Sequence, residues 1–436
     1  MKNRKVAVTT LGCKVNQFES ASFLSGFREQ GCELVSAFEE ADILVVNTCA
    51  VTARAGQQSR QLIRRLRRSN PAARLVVTGC YAQLTGDELP ELLADSALVV
   101  IGNADKHLLV STALAEEGGV PPVKDVGVAQ EICPLPVRRF SGRTRAYLRI
   151  QDGCNNFCSY CIVPYTRGRC RSLPLADVLA QVEAFVEEGY QELVITGINV
   201  GKYGLDLAEG EDIYSLLEIL CHRFPTIRIR LSSVEPAEVN DRLLSLMAEF
   251  ANFMPHLHIP LQSGENGVLA RMHRKYTTET FAEVVEQVRT VLPHAAIGCD
   301  ILAGFPGENE EAAEKSISFL AELPITYLHI FPYSLRPGTE AAKYADQVPG
   351  PVKDARVARL RGLDAQKRRA FYQQHCGMEQ RVLFEGLDEQ TGLLKGFSEN
   401  YIPVRCQGRA HVVGSVMSVR LIEVRDKVVF GERINP

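Results

Sequence analysis

The sequence has little that would tie it to a membrane. No apolar stretch in its 436 residues runs uninterrupted for the roughly 20 residues that a bilayer-spanning helix needs. The apolar run after Met1-Lys2-Asn3-Arg4-Lys5 is also too short for a signal peptide, so the expected setting is the cytoplasm. An excess of one charge is missing as well. With 49 Lys and Arg against 52 Asp and Glu, the net charge of −3 points to no class of partner, and only local clusters carry information. Cysteine, by contrast, is plentiful. Thirteen of them, an odd number, argue in such a compartment for metal binding or catalysis rather than for disulfides. The composition is otherwise that of a soluble globular protein, and the length fits roughly three domains.

The densest cysteine stretch is Gly153-Cys154-Asn155-Asn156-Phe157-Cys158-Ser159-Tyr160-Cys161, which reads C-x-x-x-C-x-x-C. A tight loop can aim three thiolates at one soft metal centre, either zinc or an iron–sulfur cluster. Zinc would want a fourth ligand, for which Cys170 is the next candidate; a four-iron cube on three thiolates would keep one iron open. The bland alternative is three unrelated buried cysteines. Residues 146–151 alternate as a strand, and Gly153 permits a turn, which sets this loop at a strand's C-terminal end, where β/α barrels carry their active sites. The motif, with an aromatic residue before its last cysteine, resembles the radical S-adenosylmethionine superfamily. That resemblance implies a four-iron cluster whose open iron is chelated by S-adenosylmethionine.

Residues 5–10 read as a strand and the stretch to Gln30 as a helix, and the alternation repeats near 43–47 and 75–78. That pattern is a parallel α/β sheet. Cys13, Cys49 and Cys80 each follow one of these strands, so their loops share one sheet edge, where ligands bind. Each alone would be a pocket filler; three in equivalent positions favour convergence. The wording Thr10-Leu11-Gly12-Cys13-Lys14-Val15-Asn16-Gln17 and Asn47-Thr48-Cys49-Ala50-Val51-Thr52 resembles the N-terminal domain of the methylthiotransferases. The resemblance implies a second four-iron cluster on Cys13, Cys49 and Cys80. Cys32, Cys133, Cys221 and Cys376 match no ligand position and read as structural.

Arg54, Arg60, Arg64, Arg65, Arg67 and Arg68 fall on one expected helix, as either a solvated face or a phosphate-contacting patch. Residues 105–140 lack periodicity and read as a linker. From 145 to 347 strands and helices alternate again, with strands expected at 146–151, 193–196, 227–232, 257–261, 297–301 and 328–331. Six β/α units make a partial barrel, open on one side for a large substrate. Leu175, Val178, Leu179, Val182 and Val186 form a helical stripe, with Ser172 and Pro174 as cap and first-turn residues. Loops after the strands hold Thr196, Gly197, Asn199, Ser232, Glu235, Gln262 and Ser263, and a further one runs from Gly304 to Glu308. By resemblance these loops would line the S-adenosylmethionine pocket. No catalytic residue beyond the cluster ligands is assigned. Arg167, Arg169 and Arg171 could neutralise a carboxylate or a phosphate, or be surface charges.

After a charged helix from 352 to 374 come short strands at 381–385, 401–406, 416–424 and 428–431, the pattern of a small β-barrel. Gly396-Phe397-Ser398-Glu399-Asn400-Tyr401 resembles the TRAM domain of RNA-modifying enzymes. The expected class is therefore α/β, divided into an N-terminal sheet domain (1–104), a linker (105–140), a partial (β/α)6 barrel (141–348), a connecting helix (349–370) and a TRAM-like barrel (371–436). The resemblance to methylthiotransferases implies insertion of a methylthio group at C2 of N6-threonylcarbamoyladenosine, position 37 beside the anticodon. It also implies tRNA, through its anticodon stem-loop, an electron-donor protein and a sulfur source as partners. Alternatives are isopentenyladenosine in tRNA, an aspartate of a ribosomal protein, or a non-enzymatic iron–sulfur RNA-binding protein.

Overall fold

A computed structural model describes residues 4–434 except 38, 116–121 and 209; the first three residues and part of the expected linker lie outside that description. The N-terminal unit is a five-stranded parallel sheet in the order Glu33–Leu34, Lys5–Thr10, Ile43–Thr48, Arg74–Gly79, Val99–Val100. Ile43–Thr48 is buried throughout, which is why it reads as a continuous apolar run rather than an alternation. Its period of two is still visible in the packing. Val45 joins Phe18 and Phe27 of the helix Lys14–Glu29, whereas Leu44 and Val46 join Ile63 and Leu66 of the helix Ala53–Ser69 on the other face. Strand order reverses between Lys5–Thr10 and Ile43–Thr48, the switch point where such sheets open a crevice.

The central unit has six parallel strands in chain order. Arg145–Arg149, Glu192–Thr196 and Arg228–Leu231 form one trio; His256–His258, Ala296–Ala303 and Tyr327–Pro332 form the other. Isolated parallel bridges Ile229↔Phe253 and Ser233↔His258 join the trios. Ser172 is not a helix cap: it sits in a two-residue strand paired with Gln151–Asp152, its hydroxyl donating to Asp206, and no side chain caps the helix Leu175–Glu187.

Of the residues expected to be a linker, Leu109–Leu114 form a helix, and 132–140 form an extended strap with Ile132, Cys133, Leu135, Val137 and Phe140 buried. Leu135, Val137 and Phe140 belong to the core that runs continuously from the first sheet into the partial barrel. The Phe140 ring lies 6.4 Å from Phe18 on one side and 5.6 Å from Tyr147 on the other. Buried Cys133, Leu135 and Val137 alternate with exposed Pro134, Pro136 and Arg138, a period of two that the two prolines disguise as a loop.

The C-terminal unit is a closed five-stranded barrel, one strand more than expected. The extra strand, Leu394–Ser398, carries Gly396, where any Cβ would lie 2.2 Å from the Leu383 carbonyl oxygen of the adjoining strand. The helix Gly350–Gln374 runs past the boundary expected at 370, placing Phe371 and Tyr372 in the small barrel's core. This barrel caps the N-terminal ends of the central strands: Arg145 pairs with Glu385 at 2.6 Å, and Arg230 Nη1 donates to the Glu399 carbonyl at 3.0 Å. Among the described residues no helix is long and apolar enough to cross a membrane.

Candidate functional site

Cys13 precedes the helix Lys14–Glu29, Cys49 follows the strand Ile43–Thr48, and Cys80 opens the helix Cys80–Thr85 directly after the strand Arg74–Gly79. Gly12 brings the first two together: a Cβ there would stand 3.1 Å from Cys49 Sγ, on a backbone with φ 105°. Cys13 is exposed, yet burial raises its thiol pKa, so it faces a hollow walled by protein rather than open surface. Burial pushes the Cys49 thiol up to about 11, with Cys80 and Cys13 adding to the rise. Such thiols bind only by giving up protons to a metal centre.

The second triad hangs from Gly153, whose φ of 75° and closeness to the Arg169 carbonyl, 1.9 Å from any Cβ, leave no room for a side chain. Phe157, between Cys154 and Cys158, holds φ 46°, a strained value for a bulky residue. The loop is pinned by Ser159, whose amide donates to the Met272 carbonyl at 3.1 Å and whose hydroxyl donates to the Arg271 carbonyl at 2.8 Å. Burial pushes Cys161 up to about 12 and Cys154 up to about 11. Cys170 does not complete this set, because its thiol points at the Gly153 carbonyl oxygen, 3.8 Å away.

Among the described residues, the one trio of His, Cys, Asp or Glu donors that closes to within 4.8 Å of one another is His258, Asp300 and His329, so neither cysteine triad is that tight. Each triad also meets a cation suited to a cluster's negative charge. Arg274 Nη1 donates to Cys158 Sγ at 3.3 Å and Arg167 Nε to Cys80 Sγ at 3.3 Å, while buried Arg336 acts on Cys49 and keeps its Nε without a hydrogen-bond partner.

Arg167 is neither a surface charge nor an RNA contact. It is 1% exposed and binds Glu19 at 2.7 Å, Asp152 at 3.2 Å and Asn16 at 2.6 Å, with Lys106 on the far side of Glu19 at 2.5 Å. Burial would raise the Glu19 pKa, but Arg167 and Lys106 hold it well below the usual carboxylate range. Arg171 is buried as well, leaving Arg169 as the exposed member of that turn. Arg167→Met would leave Glu19 to Lys106 alone and Asp152 to Arg149 and Arg171 at 3.8 and 3.9 Å, and we expect it to cost about 3–5 kcal/mol in urea denaturation, against under ~0.5 kcal/mol for Arg169→Met. A cost below ~1 kcal/mol for Arg167→Met would show that the network does not hold the units together.

The loop residues expected at an S-adenosylmethionine pocket divide. Thr196 ends its strand with its carbonyl accepting from Ile150 at 3.0 Å, whereas Gly197 and Asn199 lie against Gln151, whose Oε1 accepts from the amides of Ile198 at 3.0 Å and Asn199 at 2.8 Å; Asn199 Nδ2 is buried without a partner, which fits a ligand offering an acceptor. Glu235 accepts from Asn156 at 3.3 Å and pairs with Arg274, beside the second triad, and Ser232 lines the barrel lumen. Ser263 does not join them: its hydroxyl lies 3.4 Å from that of Ser316 on the outer helix Glu310–Glu322, and Gln262 lines the same gap outside the strands. Arg274 and Arg336 in loops, and Lys106 in the short 3-10 helix Asn103–Leu108, escaped the sequence reading because a single basic residue carries no periodicity.

Two family models match: Uncharacterized protein family UPF0004 over residues 5–101 and Radical SAM superfamily over residues 148–320. Threonylcarbamoyladenosine tRNA methylthiotransferase MtaB of Bacillus subtilis (strain 168) is 37% identical over 424 residues, covering 96% of this chain and 94% of that protein. The chain belongs to the radical S-adenosylmethionine methylthiotransferases. The protein of the same name from Aquifex aeolicus (strain VF5) is 39% identical, covering 94% of this methylthiotransferase and 98% of its own length. A tRNA-2-methylthio-N(6)-dimethylallyladenosine synthase of Cereibacter sphaeroides (strain ATCC 17029 / ATH 2.4.9) is 32% identical over 99% of both chains. The fold is shared with the radical S-adenosylmethionine methyltransferase TsrM from Kitasatospora setae, at TM-score 0.58 and 17% identity over 78% of this chain and 77% of that one. The methylthiotransferase thus uses S-adenosylmethionine and iron–sulfur clusters.

Proposed function

We propose that this methylthiotransferase acts in the cytoplasm on tRNA, placing a methylthio group at C2 of N6-threonylcarbamoyladenosine beside the anticodon. The observation that carries the reading is Arg167: it stands six residues after Cys161 of one triad and donates to Cys80 of the other, so both triads share one wall. Cys154, Cys158 and Cys161 would hold the cluster that binds S-adenosylmethionine, with Asn199 and Glu235 as its polar neighbours, and Cys13, Cys49 and Cys80 would hold the second. Bound there, these groups supply the one-electron chemistry that removes hydrogen from an unactivated carbon and the sulfur that replaces it. The chain's own part is to orient and to exclude water. Arg274 fixes Glu235 against the second triad, and the strap closes the barrel's side with Phe140. An electron-donor protein and a sulfur source complete the turnover. Full-length similarity to proteins named for threonylcarbamoyladenosine supports the substrate. The test is an anaerobic reaction on a stem-loop carrying that nucleoside, read by mass.

The helix Ala53–Ser69 is a narrower RNA surface than its sequence implies. Arg67 is bound to Asp95 at 2.6 Å and to the Ala73 carbonyl at 2.7 Å, and Arg60 lies over Tyr81. Arg54, Arg64 and Arg68 are exposed. Replacing these three by Glu should weaken tRNA binding and reduce the slope of log Kd against log salt by about 1 for each arginine that contacts phosphate. An unchanged slope would remove this helix from the RNA interface.

A further inference from the structure

Inside the partial barrel a cavity of about 280 Å³ is lined by three cations, Lys14, Arg145 and Arg230, and one carboxylate, Asp300. Asp300 is engaged, its Oδ1 lying 2.9 Å from His258 Nε2 and 3.5 Å from His329 Nδ1. These three donors could grip a metal ion, but the surrounding cations oppose a further positive charge. Arg145 is balanced by Glu385 at 2.6 Å, and Arg230 by Glu192 at 2.7 Å. Lys14 differs from both. It is an exposed residue on the cavity wall, with no hydrogen bond or ion pair among the described residues. Tyr401 registers the same field: burial would raise its phenol pKa, yet Arg145, Lys14 and Arg230 lower it.

An exposed, unpaired ammonium on the wall of a cavity, with two guanidiniums beside it, is a receptor for an anion. The volume lies just below the roughly 300–1,000 Å³ of pockets that enclose a whole small ligand, so it suits a side chain of the substrate rather than a nucleoside. Its position agrees. Lys14 follows Cys13, and Ser232 lines the upper wall three residues before Glu235, which touches the loop of the second triad through Asn156. A group anchored at Lys14 would lie beside the triad of Cys13, Cys49 and Cys80. The threonylcarbamoyl side chain ends in a carboxylate, whereas the dimethylallyl side chain is a hydrocarbon.

We propose that Lys14, backed by Arg145 and Arg230, binds the carboxylate of the threonylcarbamoyl side chain and so sets the preference for threonylcarbamoyladenosine over dimethylallyladenosine. The proposal rests on the functional reading above. The probes are synthetic anticodon stem-loops carrying threonylcarbamoyladenosine, its carboxamide, or dimethylallyladenosine. Affinity by fluorescence anisotropy and kcat/KM for methylthiolation are measured for the reconstituted wild type, Lys14→Gln and Lys14→Arg, with iron content as the check on folding. The wild type should prefer carboxylate over carboxamide by about 10- to 100-fold, Lys14→Gln should lose most of that ratio, and Lys14→Arg should keep most of it. A purely structural lysine would change overall activity without moving the ratio, and that result overturns the proposal. Equal handling of carboxylate and carboxamide by the wild type overturns it too, while leaving the functional reading intact. Methylthiolation of the dimethylallyl probe alone would instead defeat the functional reading, and the proposal with it.

Discussion

Replacing Cys154, Cys158 and Cys161 together by alanine should remove about half of the iron from the anaerobically reconstituted protein and abolish reductive cleavage of S-adenosylmethionine. The reason is geometric. The three thiols lie on one loop hung from Gly153 and pinned by Ser159, with Arg274 donating to Cys158. Cys170→Ala makes the control, since that thiol is turned toward the Gly153 carbonyl and should leave both readouts unchanged. Iron content equal to wild type in the triple variant would refute the assignment of this loop. Folding is not the expected failure, because all three thiols are only part-buried and Arg274 keeps Glu235 as a partner.

The second large effect separates the two sites. With Cys13, Cys49 and Cys80 replaced by alanine, 5′-deoxyadenosine should still form while methylthiolated product falls below detection. Roughly the other half of the iron should go with it. These thiols sit at the switch point of a different sheet, and their contact with the barrel is through Arg167 and Arg336, so their loss leaves the loop of the second triad in place. Sulfur insertion surviving in this variant would return the N-terminal cysteines to a structural role.

The parts of the fold that repeat were readable from sequence, and those that do not repeat were hidden. Strand–helix alternation and cysteines in equivalent positions exposed the parallel sheet, the six-stranded partial barrel and the small barrel. Phe140 and its strap were hidden because Pro134 and Pro136 disguise the period of two there, and Leu394–Ser398 because the buried positions after Leu394 are Gly396 and Ser398 while Phe397 is only part-buried. At the site, close spacing marked the cysteines, but charge has no address in sequence. Arg167 looked like its neighbour Arg169, yet it lies at the centre of a buried network while Arg169 faces solvent. Ser263 stands after a barrel strand as Ser232 does, and only the backbone at Gln262, with φ 73°, turns the chain so that it meets Ser316 instead of the lumen.

The most direct test of the central claim is mass spectrometry of tRNA nucleosides from a strain lacking the gene, compared with the same strain carrying it back. The account predicts that 2-methylthio-N6-threonylcarbamoyladenosine disappears, that unmethylthiolated N6-threonylcarbamoyladenosine takes its place, and that the restored gene reverses both. Loss of the methylthio group from dimethylallyladenosine instead, or from a ribosomal protein with tRNA untouched, would contradict it.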